Sequence, residues 1–480
     1  MSATLDVSLA PAHEVVAKVA AREISPVELV NTARRAYERR NGELNAIVTP
    51  IFDRANAEAR EAEQRLARGA RPRPLEGLPL AVKDSIPTAG VRTTYGSPTF
   101  RDSVPAEDAL HIARLRAAGA IIVGKTNTPE FEVGINTRNP LFGHTVHPRD
   151  ARLGCGGSSG GSAVALAAGM CALADGTDHG GSVRIPASLV GVVGLRPSPG
   201  RIPLFPSAWV ADPFSVPGPL ARSVRDVALM MSVMAGPDPR VPISIDEPAP
   251  GPELDPDVRG WRIAWTRDLM GLFAVDDEVG AAVELAARRF AELGCDVEEA
   301  APDWRDAREI IEVVRAYRTT IVMSELRAQA AASGNAWLRE YIERADRLLA
   351  KDAGAAEAQR SRYLERTAAF FARYRLLLLP ATAWTAFPKE RDFPEIVGGR
   401  RMSGVIEAIL ATYAVTIAGL PALALPCGAS RAGLPIHGHE SARPKRFPQR
   451  IRAALRPARR QRRPARAGRP RNIRQLRLLG

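Results

Sequence analysis

The sequence offers little from which a disulfide framework or a structural zinc site could be built. Its four cysteines, Cys155, Cys171, Cys295 and Cys427, are scattered without any Cys-x-x-Cys pair, so reduced thiols are expected. No apolar run suits a bilayer: the longest, Ala163 to Ala174, is far short of the ~20 residues that a spanning helix needs. The N-terminal stretch MSATLDVSLAPAHEVVAKVA lacks the basic flank, continuous apolar segment and cleavage pattern of a signal peptide. These absences set the expectation of a cytoplasmic protein. Histidine is scarce as well, with seven residues in 480, and that scarcity later decides which kind of catalytic base to look for.

The composition is otherwise that of a soluble globular chain, 45% hydrophobic and 25% charged, which argues against disorder and fibrous classes. A net charge of +13 resembles a nucleic-acid or membrane signal until it is located. Residues 437–480 hold fifteen Lys and Arg against the single acid Glu440, which leaves 51 basic and 52 acidic residues in positions 1–436. The body therefore has no basic bias, and the excess belongs to the tail.

Along the chain, residues 13–65 read as amphipathic helices, with Ser25-Pro26 ahead of VELVNTARRAYERR as a cap and helix start. LPLAVKD at 78–84 reads as a buried strand that ends with Lys83 at its tip, and GAIIVGKTN at 119–127 as a second,. A glycine-serine loop at 154–161 precedes the small-residue helix SAVALAAGM, and the strand-like CALAD then leads into GTDHGGSVRIP,. Residues 275–375 turn helical before the apolar strand LLLLPA at 376–381. Alternating strands and helices imply an α/β protein with a mixed or parallel sheet.

The search for chemistry begins at the two Gly/Ser clusters, where hydroxyls on tight turns can meet a carbonyl together with backbone N–H groups. GGSSGG at 156–161 fits the nucleophile-elbow pattern G-x-S-x-G in two registers, but that mechanism needs an acid and then a histidine downstream. Only His179, His437 and His439 follow; the last two fall in the atypical tail and His179 lies inside the second glycine cluster. A Ser-His-Asp arrangement is therefore poorly supported. A lysine is the next base to consider, because burial disfavours its charged form and frees the amine lone pair. Lys83 is the best-placed candidate, and its bland alternative is an ion pair with Asp84 or a helix end. GAIIVGKT at 119–126 also fits the expression G-x-x-x-x-G-K-[ST], but its interior Ala-Ile-Ile-Val is a strand, whereas a phosphate cradle needs an open loop. Phe205, Trp209 and Phe214 are candidates either for an acyl pocket or for ordinary packing.

Three segments in this order, LPLAVKD, GGSSGGS and GTDHGGSVRIP, resemble the amidase signature family of Ser-Ser-Lys hydrolases. GKTNTPEF at 124–131, GVVGLRPSPGRIP at 191–203 and AGLPALALPCG at 418–428 extend the similarity over roughly residues 10–436. The resemblance implies an amidase signature fold, with a central mixed β-sheet covered by helices on both faces. It also implies Lys83 as an uncharged base, Ser158 as the bridging serine and Ser182 as the acylated nucleophile, with a cis Gly157-Ser158 peptide. Backbone N–H groups of His179, Gly180, Gly181 and Ser182 would form the oxyanion hole. Ser159 and Thr177 are expected as supporting hydrogen-bond partners, and Asp178 and Arg184 as a loop-bracing ion pair.

The implied reaction cleaves a small-molecule carboxamide to a carboxylate and ammonia or an amine, with no metal or organic cofactor. Arylacetamides such as indoleacetamide, aliphatic amides and esters all satisfy it. Within the family the alternative is the glutaminase subunit of a tRNA-dependent amidotransferase. An alternative of another class is a nucleic-acid-binding protein acting through the Arg-rich tail, which the neutral body does not favour. No membrane partner is expected, and the oligomeric state, a homodimer included, is left open.

One departure stands out. Members of the family continue from Gly-Leu-Pro into a glycine-glutamine strand and a closing helix, whereas Ile436 here is followed by HGHESARPKRFPQR and further Arg/Pro-rich sequence. Reading a GC-rich gene out of frame produces such a composition. The expectation is an amidase domain over 1–436 and a frameshift-derived tail over 437–480 that costs the sheet a strand.

Overall fold

A computed structural model describes residues 8–249, 251, 254 and 257–442. Its centre is one eleven-stranded mixed sheet. In chain order the strands are β1 (Ile47–Pro50), β2 (Pro79–Lys83), β3 (Ile121–Thr126), β4 (Leu173–Asp178), β5 (Val193–Arg196) and β6 (Val216–Ala221), then β7 (Arg262–Trp265), β8 (Asp296–Glu299), β9 (Leu376–Pro380), β10 (Ala422–Ala429) and β11 (Pro435–Ala442). Across the sheet they run β1-β3-β2-β4-β6-β5-β10-β11-β9-β7-β8. Pairings β3-β2-β4 and β9-β7-β8 are parallel, and antiparallel strands join these two parallel edges.

Side-chain alternation on β2 decides which helices cover which face. Ala81 packs with the helices Pro26–Leu44, Phe52–Ala67 and Gly160–Ala167. Leu80 and Val82 point the other way, into a core shared with Leu110–Ala117 and Val224–Met234. The far half of the sheet repeats this arrangement. Leu377 and Leu379 meet the helices Ala307–Val322, Ala350–Arg373 and Leu410–Ile417, while Leu378 faces Ile263 and Ala287. Helices thus cover both faces, as the resemblance implied.

The expected cap at Ser25 is present: its hydroxyl accepts the Val27 N–H at 3.0 Å, Glu28 accepts the Ser25 N–H at 2.9 Å, and Pro26 starts the helix,. The strands expected at 78–84, 119–127 and 376–381 form with trimmed ends. Lys125 lies inside β3, and its ammonium group donates to the Ile86 carbonyl and to Thr88 and Thr93. It ties down the loop after β2. The four cysteines are free, and burial pushes the Cys155 and Cys171 thiols up to about 12,. None of the described helices is long and apolar enough to cross a membrane.

The boundary expected after Ile436 needs correction. Residues 437–442 belong to β11, which is paired on both sides, with His439 opposite Ala424 on β10 and Leu379 on β9. Ladder hydrogen bonds use only main-chain groups, so HGHESA can complete the sheet although its side chains do not suit the interior. His439 is fully buried and, among the described residues, neither of its ring nitrogens is bonded and Ser441 Oγ is likewise without a partner. Residues 443–480, on which the nucleic-acid alternative and most of the frameshift expectation rest, lie outside the described residues.

Candidate active site

Lys83 ends β2 fully buried. Its backbone N–H donates to Asp175 Oδ1 on β4 at 2.8 Å, and the other oxygen of that carboxylate lies 3.1 Å from His111 Nε2. The strand tip is therefore held by the neighbouring strand, and the side chain continues into the cluster beyond. Lys83 Nζ lies 2.6 Å from Ser158 Oγ and 2.7 Å from Thr177 Oγ1. The bland alternative of a pair with Asp84 does not occur: Asp84 turns to Thr94, and burial raises its carboxyl group above the usual range despite the charge of Lys125.

Lys83 instead has a carboxylate partner that the motifs alone did not point to. Glu132 Oε1 lies 2.7 Å from Lys83 Nζ and accepts the hydroxyls of Thr177 at 2.5 Å and Ser85 at 2.6 Å. Burial alone would raise this carboxyl group, but the charge of Lys83 and the three hydrogen bonds hold it below its ordinary range,. Phe131 and Glu132 both have left-handed backbones, φ 51° and 64°, a region that non-glycine residues enter at a cost of ~1 to 3 kcal/mol each. The signal was visible in PEFEVG, a second acid beside the recognised GKTNTPEF segment. Its target was not.

Ser158 follows a cis peptide with Gly157, in the loop that opens the helix Gly160–Ala167. The small side chains there are required: a Cβ on Gly161 would collide with the backbone of Asn127 and the Ala46 carbonyl. Ser159, expected as a side-chain partner, contributes through its backbone, whose N–H donates to the Ser182 carbonyl at 3.0 Å. The Ser159 hydroxyl has no partner among the described residues.

The second glycine cluster is organised by Asp178 at the end of β4. Its carboxylate receives Arg184 Nη2 at 2.8 Å and Nε at 3.0 Å, together with the N–H groups of Gly181 at 3.2 Å and Val183 at 3.1 Å. Arg196, missed in the sequence, donates to the Asp178 carbonyl at 2.6 Å. All three side chains are fully buried. Burial opposes ionisation, but the two guanidinium groups and the N–H donors hold the Asp178 carboxyl far below the usual range,. Of the four N–H groups expected in an oxyanion hole, that of Gly181 is therefore engaged by Asp178.

Ser158, Ser182, Thr177, Glu132, His179 and Gly180 border one cavity of about 580 Å³. His179 has no hydrogen-bond partner on either ring nitrogen among the described residues. Its ring meets Tyr413 and Phe214 edge-on, at centroid distances of 5.8 and 6.3 Å. Burial, then the charges of Arg318 and Arg315, keep it neutral well below its ordinary pKa. Of the aromatics singled out in the sequence, Phe214 is fully buried behind His179, Trp209 packs on Phe214 and Tyr317, and Phe205 lies under Arg240. The aromatic wall comes instead from Tyr95, Phe131, Trp337, Tyr341 and Tyr413. Among the described residues no group of three or more His, Cys, Asp or Glu side chains could hold a metal ion.

The sequence model of the family described as Amidase matches residues 28–438. An acylamidase of Rhodococcus erythropolis is 34% identical over 440 residues, covering 91% of this chain and 92% of that protein. The A-type component of the glutamyl-tRNA(Gln) amidotransferase of Synechococcus sp. (strain CC9605) is 35% identical over 441 residues, 86% of this chain and 89% of its own. Among solved structures, a bacterial aryl acylamidase of the amidase signature enzymes superposes with a TM-score of 0.85 at 29% identity, over 91% of this chain and 93% of that one. Likeness of this extent, in sequence and in fold, makes the chain a member of the amidase signature family, a hydrolase that cleaves carboxamide C–N bonds to a carboxylate and ammonia or an amine.

Proposed function

We propose that Ser182 is the nucleophile, Ser158 the proton relay and Lys83 the base of a two-step hydrolysis through an acyl-enzyme. The observation that carries this reading is the 2.6 Å contact between Lys83 Nζ and Ser158 Oγ at the edge of the cavity that Ser182 also lines. As a neutral amine, Lys83 would use its two N–H bonds on Thr177 and Glu132, which leaves the lone pair for the Ser158 hydroxyl. Ser158 passes its proton to Lys83 and takes that of Ser182 as the Ser182 oxygen bonds to the amide carbon. The N–H groups of His179, Gly180 and Ser182 are the candidates to face the oxyanion, and Gly181 braces the loop through Asp178. The proton returns through Ser158 to the leaving nitrogen as the C–N bond breaks. Water then repeats the sequence in place of Ser182, releasing the carboxylate.

The test is intact-mass analysis after exposure to an activated amide or ester. The wild-type protein should gain one acyl group, located on Ser182 by peptide mapping, and Ser182→Ala should gain none. An acyl group on Ser158 or Cys155 would overturn the assignment. The glutaminase reading has its own support in the amidotransferase relatives; a steady-state preference for glutamine over other amides would favour it.

A further inference from the structure

Two arginines reach the cavity wall from the helix Ala307–Val322, and they differ in how their charge is met. Arg318 Nε donates to Asp212 Oδ2 at 2.8 Å, an ion pair. Arg315, one turn earlier, has no carboxylate within ion-pair distance among the described residues. Its guanidinium lies over the Tyr341 ring, 3.8 Å from the centroid, and Nη1 donates to the Tyr413 hydroxyl, while Nε is buried without a partner among the described residues. A partly buried cation whose neighbours are two neutral phenols is stabilised far less than one facing a carboxylate.

The location of this charge ties it to the reacting group. Tyr413 packs so closely on Gly180 that a Cβ there would lie 2.7 Å from the ring and 2.8 Å from its hydroxyl. The sequence of contacts Gly180, Tyr413, Arg315 thus runs from the residue two before Ser182 to the cation. His179, with both ring nitrogens unpartnered among the described residues, borders the same space. The other acids of the wall do not neutralise Arg315: Glu132 is engaged by Lys83, and Glu325 is exposed.

We infer that the cavity is built for amides whose acyl part carries a second, anionic group, a carboxylate, which Arg315 binds while the carboxamide lies at Ser182. This rests on the assignment of Ser182 as nucleophile. The reaction is unchanged, and its product would be a dicarboxylate.

The test compares kcat/KM for the monoamides of succinic, glutaric and adipic acids with butyramide, valeramide and hexanamide of the same chain lengths. At one length or more the carboxylated amide should be preferred by about tenfold or more, as expected for a charge-assisted contact in a cavity. Arg315→Gln should abolish that preference, lowering kcat/KM for the carboxylated amide by about tenfold or more beyond any loss on the neutral partner. Equal losses on both substrates would mean that Arg315 merely braces Tyr413 and Tyr341, and would overturn the inference. So would a wild-type preference for the neutral amide at every length, a result that leaves the nucleophile assignment intact.

A second arm needs neither turnover nor an Arg315 variant. Calorimetric titration of the Ser182→Ala protein with each dicarboxylate and its monocarboxylate counterpart should show tighter binding of at least one dicarboxylate by a similar factor, and equal or absent binding of all of them would overturn the inference. Residual hydrolysis by Ser182→Ala would instead defeat the nucleophile assignment.

Discussion

Glu132 Oε1 lies 2.7 Å from Lys83 Nζ, on the same amine that contacts Ser158. The carboxylate therefore helps fix where the proposed base points. Replacing it by an amide of the same shape weakens the charge-assisted bonds from Lys83, Thr177 and Ser85,. Glu132→Gln should therefore loosen the amine and lower kcat by about tenfold or more in steady-state kinetics. An unchanged kcat would mean that Glu132 does not position the base. Glu132→Gly should lose the contacts altogether and also relieve the left-handed backbone at φ 64°,.

Lys83 and Ser158 act on one proton in the proposed relay. Lys83→Ala and Ser158→Ala should each lower kcat by about a hundredfold or more, and the double variant should lose little beyond either single one. Steady-state kinetics of the full cycle provide the check, and additive losses would assign the two residues to separate tasks.

Asp178 is the anion on which the loop carrying Ser182 is hung. Asp178→Asn leaves the buried Arg184 and Arg196 without their counter-charge and should cost about 3 to 5 kcal/mol in denaturant unfolding,. Because the Asp178 carboxyl group is held below its unfolded value, its contribution is complete above pH ~4 and is lost as the pH falls toward the folded value. The stability gap between wild type and Asp178→Asn should therefore narrow in acid. A gap independent of pH would deny that Asp178 is the ionised partner of the two arginines.

His439 sits mid-sheet, fully buried, with both nitrogens unbonded among the described residues. His439→Val should stabilise the protein by about 1 to 3 kcal/mol, since an apolar, β-branched side chain has no polar group to desolvate. Burial, and then the charge of Arg184, depress the His439 pKa well below 6.5. The unfolded chain therefore takes up a proton below pH ~6.5 that the folded strand refuses, so the advantage of the variant should widen as the pH falls. Thermal melting of both proteins at pH 7.5 and 5.5 measures this; a destabilised variant would mean that β11 accommodates histidine better than its contacts indicate.

The proposed chemistry of the site can be read from the sequence because its carriers are local signals. An apolar strand ending in Lys83 and two glycine-serine turns holding Ser158 and Ser182 can be read within windows of a few residues, as can the Ser25-Pro26-Val27-Glu28 cap,. The strand VPGPLA was not foreseen, since Pro217 and Pro219 argue against an interior strand by composition,. Nor was the place of residues 437–442, because main-chain pairing with β9 and β10 is indifferent to the polar side chains that the segment carries. What the sequence by itself determined is the proposed reacting set, Lys83, Ser158 and Ser182, and the α/β alternation that presents it. Only the tertiary structure decided the environment of that set: Glu132 reaches Lys83 from another loop, Arg196 reaches Asp178 from β5, on the far side of β6, and Arg315 meets Tyr413 across 98 positions of chain. Which charges meet across such separations is set by how helices pack on the sheet, and no local periodicity encodes it.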